Sequence, residues 1–201
     1  MRNDLLARKP SDRKRKPGEP RAGKKPSRAK PPGGAGSAST VRARKLPDQG
    51  VWELVHPRCA RDRQEDLEEV RKMVDAGELD IAVDECRWLL NGCSDCLEAH
   101  RILGEIALGE NDLPLARGHF GYAFRLGEKA LDQAGCKGPL PYRLPANGSF
   151  LEAAKGLAWC LRQLGKAQMS REVVAVLLAC DPSDPLGVKA WATEEPPAAS
   201  D

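Results

Sequence analysis

The chain has 201 residues, and its 32 Lys and Arg against 29 Asp and Glu give a net charge of only +3. The balance is uneven, because residues 1–50 contain 15 basic and 4 acidic residues, whereas residues 51–201 contain 17 and 25. No long apolar run lies near the N-terminus, so we expect neither a secretory signal peptide nor a membrane span. These features predict a basic arm on an acidic body in a cytoplasmic protein, or a nuclear one if the cell is eukaryotic.

The first 48 residues are rich in Pro, Gly, Lys and Arg and poor in large apolar side chains. Such a segment cannot bury enough surface to offset its ordering entropy, so the sequence predicts disorder over 1–48. Its basic clusters are Arg13, Lys14, Arg15 and Lys16, and then Lys24 and Lys25. They are candidate contacts to nucleic-acid phosphates or to an acidic partner, and a candidate nuclear-targeting signal. A tail that only improves solubility is the alternative.

The first apolar cluster is Val51–Val55, which precedes a pair of helices predicted from about Asp62 to Leu90. We expect this cluster to cover the outer face of that helix pair, because the ends of helical arrays need a cap. In that position Trp52 is a packing residue rather than a recognition residue.

Residues 97–130 have the spacing of two helices that pack closely together. The small and apolar positions are Leu103, Gly104, Ala116, Phe120 and Ala123. Because Gly104 and Ala116 are small, the helices can approach closely where these two residues meet. Asp112 is the predicted N-cap of the second helix.

The same pattern recurs along the chain. Residues 63–96 repeat it 34 positions earlier, and residues 151–184 fit a third copy with a Cys-Asp-Pro ending. The chain therefore resembles tetratricopeptide-repeat proteins. The resemblance implies an all-α fold, a short right-handed α-solenoid of about three helix hairpins within a domain over 49–193. The alternative is an ordinary helical bundle whose self-similarity is accidental.

An insertion over 131–150 interrupts the repeat, and Pro and Gly exclude regular helix from its central part. Its apolar residues are Leu140, Tyr142 and Leu144, which either pack into the groove or present an edge to a partner. We expect Asn147-Gly148-Ser149 to cap a helix that begins near Ser149. Residues 185–191 are predicted to form one helical turn, and residues 194–201 a disordered tail.

The resemblance also implies a binding surface, because the first helices of tetratricopeptide repeats line a concave groove. The predicted groove residues are Leu67, Arg71, Val74, Arg101, Glu105, Leu108, Lys155, Trp159 and Arg162. The family's clamp for C-terminal carboxylates uses Lys and Asn, but Arg71, Glu105 and Trp159 stand in the Asn-bearing positions here. We therefore expect a mixed peptide anchored by Trp159 rather than a chaperone tail.

The sequence lacks the common hydrolase, phosphate-loop and metalloprotease motifs, so no enzymatic activity is predicted. The resemblance implies a non-enzymatic protein-protein interaction scaffold that binds a peptide or helix of a partner in the concave groove. A nucleic-acid-associated adaptor that uses the basic arm is the alternative. The sequence does not indicate a membrane partner, and it leaves the oligomeric state open.

The chain has seven cysteines, of which Cys86, Cys160 and Cys180 fall at apolar helix positions and are predicted core residues. No cofactor is predicted. As an alternative, four residues could form a structural zinc site, because their types suit zinc and the ends of one hairpin bring them together. These residues are His56, Cys59, Cys93 and Cys96.

Overall fold

The computed structural model describes residues 40–193. This part of the chain is mostly helical, with one two-stranded sheet at its start. The elements are β1 (Arg42–Leu46), β2 (Val51–Val55), α1 (Arg58–Arg61), α2 (Gln64–Asp75), α3 (Leu79–Gly92), α4 (Leu97–Gly109), α5 (Leu113–Gln133), α6 (Pro145–Gln163), α7 (Ala167–Cys180) and a 3₁₀ turn (Lys189–Ala192). The basic clusters between residues 13 and 25 and the tail over 194–201 lie outside the described residues.

The sheet is a β-hairpin that the sequence analysis did not predict. The predicted disorder over 1–48 is wrong for β1 (Arg42–Leu46), and residues 1–39 of that range lie outside the described residues. Strands β1 and β2 are antiparallel, with Arg42 opposite Val55 and Leu46 opposite Val51. The hairpin lies against α5 and α6, where Leu54 is almost fully buried. The prediction that residues 51–55 cover the first helix pair is therefore wrong, and the all-α class holds only in the coarser sense of a mostly helical fold.

Three helix pairs follow the hairpin, namely α2 with α3, α4 with α5, and α6 with α7. Each first helix ends in the same way, because Gly77, Asn111 and Gly165 all have positive φ, at 77°, 61° and 69°. In each turn two backbone N–H groups bond back to the last helical carbonyls, as in a Schellman cap. These three residues occupy the same position in the three predicted copies, so the turns recur in the phase that the sequence indicates.

The pairs pack in a regular order. Helix α2 contacts α3 and α4, α4 contacts α5 and α6, and α6 contacts α7. Asp112 caps α5 as predicted, since its Oδ1 accepts a hydrogen bond of 3.0 Å from the N–H of Leu115.

Phe120 lies at the centre of the packing between α4, α5 and α6. A Cβ added at Gly104 or at Gly156 would lie 2.6 Å from its ring. Gly104 therefore admits the Phe120 ring, which the sequence analysis did not foresee when it placed Gly104 against Ala116. Because the two glycines lie on α4 and α6, the ring of Phe120 is confined between two helices.

Helix α6 begins at Pro145, four residues earlier than predicted, and Pro is well suited to the first position of a helix. Asn147 does not cap this helix, so that prediction is wrong. Its side chain is fully buried, accepting a hydrogen bond from the N–H of Leu54 and donating to the carbonyls of Trp52 and Pro141. Asn147 thus joins β2 and the inserted loop to α6.

The apolar residues of the insertion pack inward to different extents, since Leu140 is buried and Tyr142 and Leu144 are half-buried. Leu140 is fully buried, and its N–H donates to the carbonyl of Cys180 at the end of α7. The predicted helical turn near residue 191 is the 3₁₀ turn, preceded by the buried Val188. Within residues 40–193, no helix combines the length and apolar character needed to cross a bilayer.

Replacement of Gly104 by Ala tests the confinement of Phe120. We expect Gly104→Ala to lower the free energy of unfolding by about 1–3 kcal/mol, because the ring cannot move away without meeting Gly156. The matched control is Gly118→Ala, an exposed helical position where an added Cβ meets nothing within 4 Å. That control should raise stability by up to about 1 kcal/mol. Urea denaturation measures both, and equal effects would contradict the packing described here.

Candidate functional site

A buried carboxylate joins three helices on one face of the molecule. Glu98 lies in the first turn of α4 and is only 8% exposed. Its Oε1 accepts hydrogen bonds from Arg71 of α2, at 3.0 and 2.8 Å, and from Arg101 Nη2 at 2.7 Å. Its Oε2 accepts from Arg101 Nε at 2.9 Å and from Ser149 Oγ of α6 at 2.7 Å. Both oxygens of Glu98 are therefore fully used.

The partners of Glu98 decide its protonation. Burial by itself would raise its pKa, but hydrogen bonds from Arg101, Ser149 and Arg71 and the charge of Arg101 lower the pKa from 4.5 to about 2. Burial acts against the charged form of Arg101, yet Glu98 and two further carboxylates raise its pKa. Both groups are consequently ionised at neutral pH.

The network extends along the face through Arg101. Its Nη1 pairs with Glu105 one turn further along α4 and lies 3.3 Å from Glu152 of α6. Glu152 in turn accepts a hydrogen bond from the hydroxyl of Tyr142 in the inserted loop. Burial and the charge of Glu152 raise the pKa of Glu105, although Arg101 opposes them. We call Arg71, Glu98, Arg101, Glu105, Glu152, Tyr142 and Ser149 the ionic network.

The predicted groove residues fall into two groups. Arg71, Arg101 and Glu105 belong to the ionic network, and Trp159 is 38% exposed with its ring centroid 5.9 Å from that of Trp191. Of the others, Leu67 and Arg162 are buried, and Val74, Leu108 and Lys155 are half-buried, as Arg71 and Arg101 are. Leu67 and Arg162 are therefore poor contacts for a partner.

Sequence reasoning missed Glu98 and Glu152. It named Ser149 only at the start of a helix, and Tyr142 only as an apolar residue that packs into the groove or presents an edge to a partner. One signal was present, since the offset that relates the second predicted copy to the third places Glu152 in the position of Glu98. The spacing of Glu98 and Arg101, three residues apart on one helix, is a second signal. No local signal indicated that Ser149 would contact Glu98 or that Tyr142 would contact Glu152, because the insertion brings both residues to this face.

A cleft of about 310 Å³ opens beside Glu98, between α1 and α2 on one side and the start of α6 on the other. Its polar lining includes Arg61, Gln64, Arg71, Glu98 and Ser149. The buried thiol of Cys96 also contributes, and burial raises its pKa, so it is a neutral thiol.

The residues of the zinc hypothesis lie near one another, but not as four free ligands. Cys59 and Cys93 form a disulfide with a Cα–Cα distance of 5.6 Å. His56 Nε2 donates to the carbonyl of Ala146 at 2.8 Å. Within residues 40–193, no group of three or more His, Cys, Asp or Glu side chains is arranged to hold a metal ion. The zinc site stays a prediction, while the buried positions of Cys86, Cys160 and Cys180 are confirmed.

Comparison of the chain with protein-family models, with curated proteins and with solved structures finds no match. The resemblance to tetratricopeptide repeats therefore depends on the sequence pattern and on the helix turns that recur in phase.

The ionic network predicts a loss of stability in acid. Because the pKa of Glu98 falls from 4.5 to about 2 on folding, its contribution is complete above pH 4.5 and lost as the pH falls towards 2. This contribution corresponds to about 3 kcal/mol. We expect Glu98→Gln to be less stable at pH 7 and to lose this part of the pH dependence. The exposed Glu69→Gln is the control, and denaturation at a series of pH values is the measurement.

Thiol counting tests the disulfide against the zinc site. Protein purified without reductant and alkylated in denaturant should carry five modified cysteines, and seven after reduction. The zinc site predicts seven modified cysteines without reduction, together with zinc in metal analysis of the folded protein. Intact-mass spectrometry distinguishes the two results.

Proposed function

We propose that this chain is a non-enzymatic protein-interaction scaffold, a short right-handed α-solenoid of tetratricopeptide-like hairpins. In this proposal a segment of a partner protein binds to the face formed by α2, α4 and α6. The solenoid arrangement is supported by the positive-φ turns at Gly77, Asn111 and Gly165, and by the contacts of α4 with both α2 and α6.

The observation that carries the proposal is the ionic network across the three first helices. Glu98 and Arg101 hold α2, α4 and α6 together through short charge-assisted hydrogen bonds. A face fixed in this way does not have to order itself when a partner arrives, which lowers the entropic cost of binding. The half-exposed Trp159, beside Trp191, supplies the kind of aromatic anchor that dominates many interfaces.

The protonation states also favour binding over acid-base catalysis. A general acid or base is most effective when its pKa lies near the working pH. Glu98 instead has a pKa of about 2 and uses both oxygens in structural hydrogen bonds. Glu98 is therefore suited to hold the helices in place rather than to transfer protons.

The alternative function, a nucleic-acid-associated adaptor, is favoured by the excess of Lys and Arg in residues 1–50. Its proposed contacts, the basic clusters between residues 13 and 25, lie outside the described residues. It stays a prediction from charge alone.

A peptide selection tests the proposed face. The full chain is immobilised, peptides are selected from a random library of twelve-residue sequences, and their affinities for variants are measured by fluorescence anisotropy. We expect Trp159→Ala to weaken the selected peptides at least tenfold, since loss of a central aromatic anchor typically costs about 2 kcal/mol or more.

The control is Leu115→Ala, which removes another exposed apolar side chain, from the second helix of its pair. This variant should bind the same peptides as the wild-type chain does. Failure to select any peptide, or selection of peptides that depend on Leu115 and not on Trp159, would show that the proposed face is not the binding site.

A further inference from the structure

The cleft beside Glu98 contains hydrogen-bond donors that no residue of the described chain uses. The Arg61 guanidinium lines the cleft, and within residues 40–193 it makes no hydrogen bond or ion pair. Arg71 directs Nε and Nη2 to Glu98, which leaves its Nη1 without a partner in the same part of the chain. Two arginines, one from α1 and one from α2, thus line the same small cleft.

The single carboxylate that lines the cleft does not accept hydrogen bonds from these free donors. Glu98 has both oxygens engaged by Arg71, Arg101 and Ser149, so no lone-pair direction is left for Arg61. Among the lining residues, Arg61 and Arg71 carry positive charge and Glu98 carries the negative charge. An additional acceptor with a negative charge would therefore complete the cleft.

Size and position point to a side chain as the source of that acceptor. A volume of about 310 Å³ is at the lower end of the range for small-molecule sites, and it is ample for one acidic side chain. Leu67 and Ala60 supply apolar wall for the methylene groups of such a side chain. Arg71 belongs both to the cleft and to the ionic network, so the cleft opens on the proposed binding face.

We propose that the cleft binds the carboxylate of an Asp or Glu side chain of the partner segment, with Arg61 and the free Nη1 of Arg71 as donors. The proposal rests on the function proposed above, because the segment on the α2, α4 and α6 face carries the side chain. The proposal predicts that the partner segment carries an acidic residue at a fixed distance from the residue that contacts Trp159.

Paired peptides test this proposal with the full chain. Each selected peptide is synthesised with a C-terminal amide, in its original form and with each Glu or Asp changed to Gln or Asn, and the original form is also made with a free C-terminal carboxylate. We expect one such change to weaken binding to the wild-type chain by about ten- to a hundredfold, as expected for a hydrogen-bonded charge. The Arg61→Gln variant should bind a peptide with its original Glu or Asp and the same peptide with Gln or Asn at that position almost equally.

Two further variants serve as control and as independent check. Arg58→Gln removes an exposed charge from the same short helix, outside the cleft, and should leave the acidic preference unchanged. Ala146→Glu adds a carboxylate to the cleft wall. It should weaken the binding of peptides with the original Glu or Asp and leave the binding of their Gln or Asn forms unchanged.

The outcomes separate the two proposals. If the selected peptides depend on Trp159 but show no preference for an acidic residue, the cleft assignment is wrong and the proposed binding face stands. The same holds if they show such a preference and Arg61→Gln leaves it unchanged. Binding only by peptides with a free C-terminal carboxylate would also overturn the cleft assignment, because the acceptor would then be the chain terminus. If no peptide depends on Trp159, both proposals are wrong.

Discussion

The buried carboxylate of Glu98 is the constraint on which the helical face depends. Its two oxygens bind groups from α2, α4 and α6, so one charge fixes three helices that are distant in sequence. Its place in the first turn of α4 also suits the positive end of the helix dipole. Removal of Glu98 itself would leave Arg101 largely buried without its closest counter-charge, which costs more than the pair contributes. The positions of the three helices on this face are therefore linked through Glu98.

Much of the helical framework follows from local sequence signals. Gly77 and Gly165 are the residues that tolerate positive φ most easily, Asn111 is among the next, and Asp112 is a good N-cap. These residues repeat with the apolar positions, so the limits of the helix pairs could be predicted closely. The β-hairpin could not, because β1 lies in a basic stretch and both strands are stabilised by α5 and α6, far along the chain.

In the candidate site, too, nearby sequence indicates some of the contacts, whereas others depend on segments far along the chain. Arg101 and Glu105 were predicted to share a helix stripe because they are one turn apart, and the structure places them together in an ion pair. Glu98 resembled an ordinary acid at the start of an exposed helix. Its Oε2 accepts a hydrogen bond from Ser149, which the insertion supplies, and no residue within one helical turn of Glu98 reveals that contact.

The insertion that breaks the repeat is what builds the cleft. A third copy in phase with α4 would begin α6 at Leu151, but the helix begins at Pro145, and the additional residues include Ala146 and Ser149 on the cleft wall. Between them, Asn147 holds the helix start to the backbone of β2 through Leu54 and Trp52. The hairpin thus supports the cleft through Asn147, and a chain of the same repeats without hairpin and insertion would lack one wall. In this protein the departures from the repeat, more than the repeat itself, shape the cleft beside Glu98.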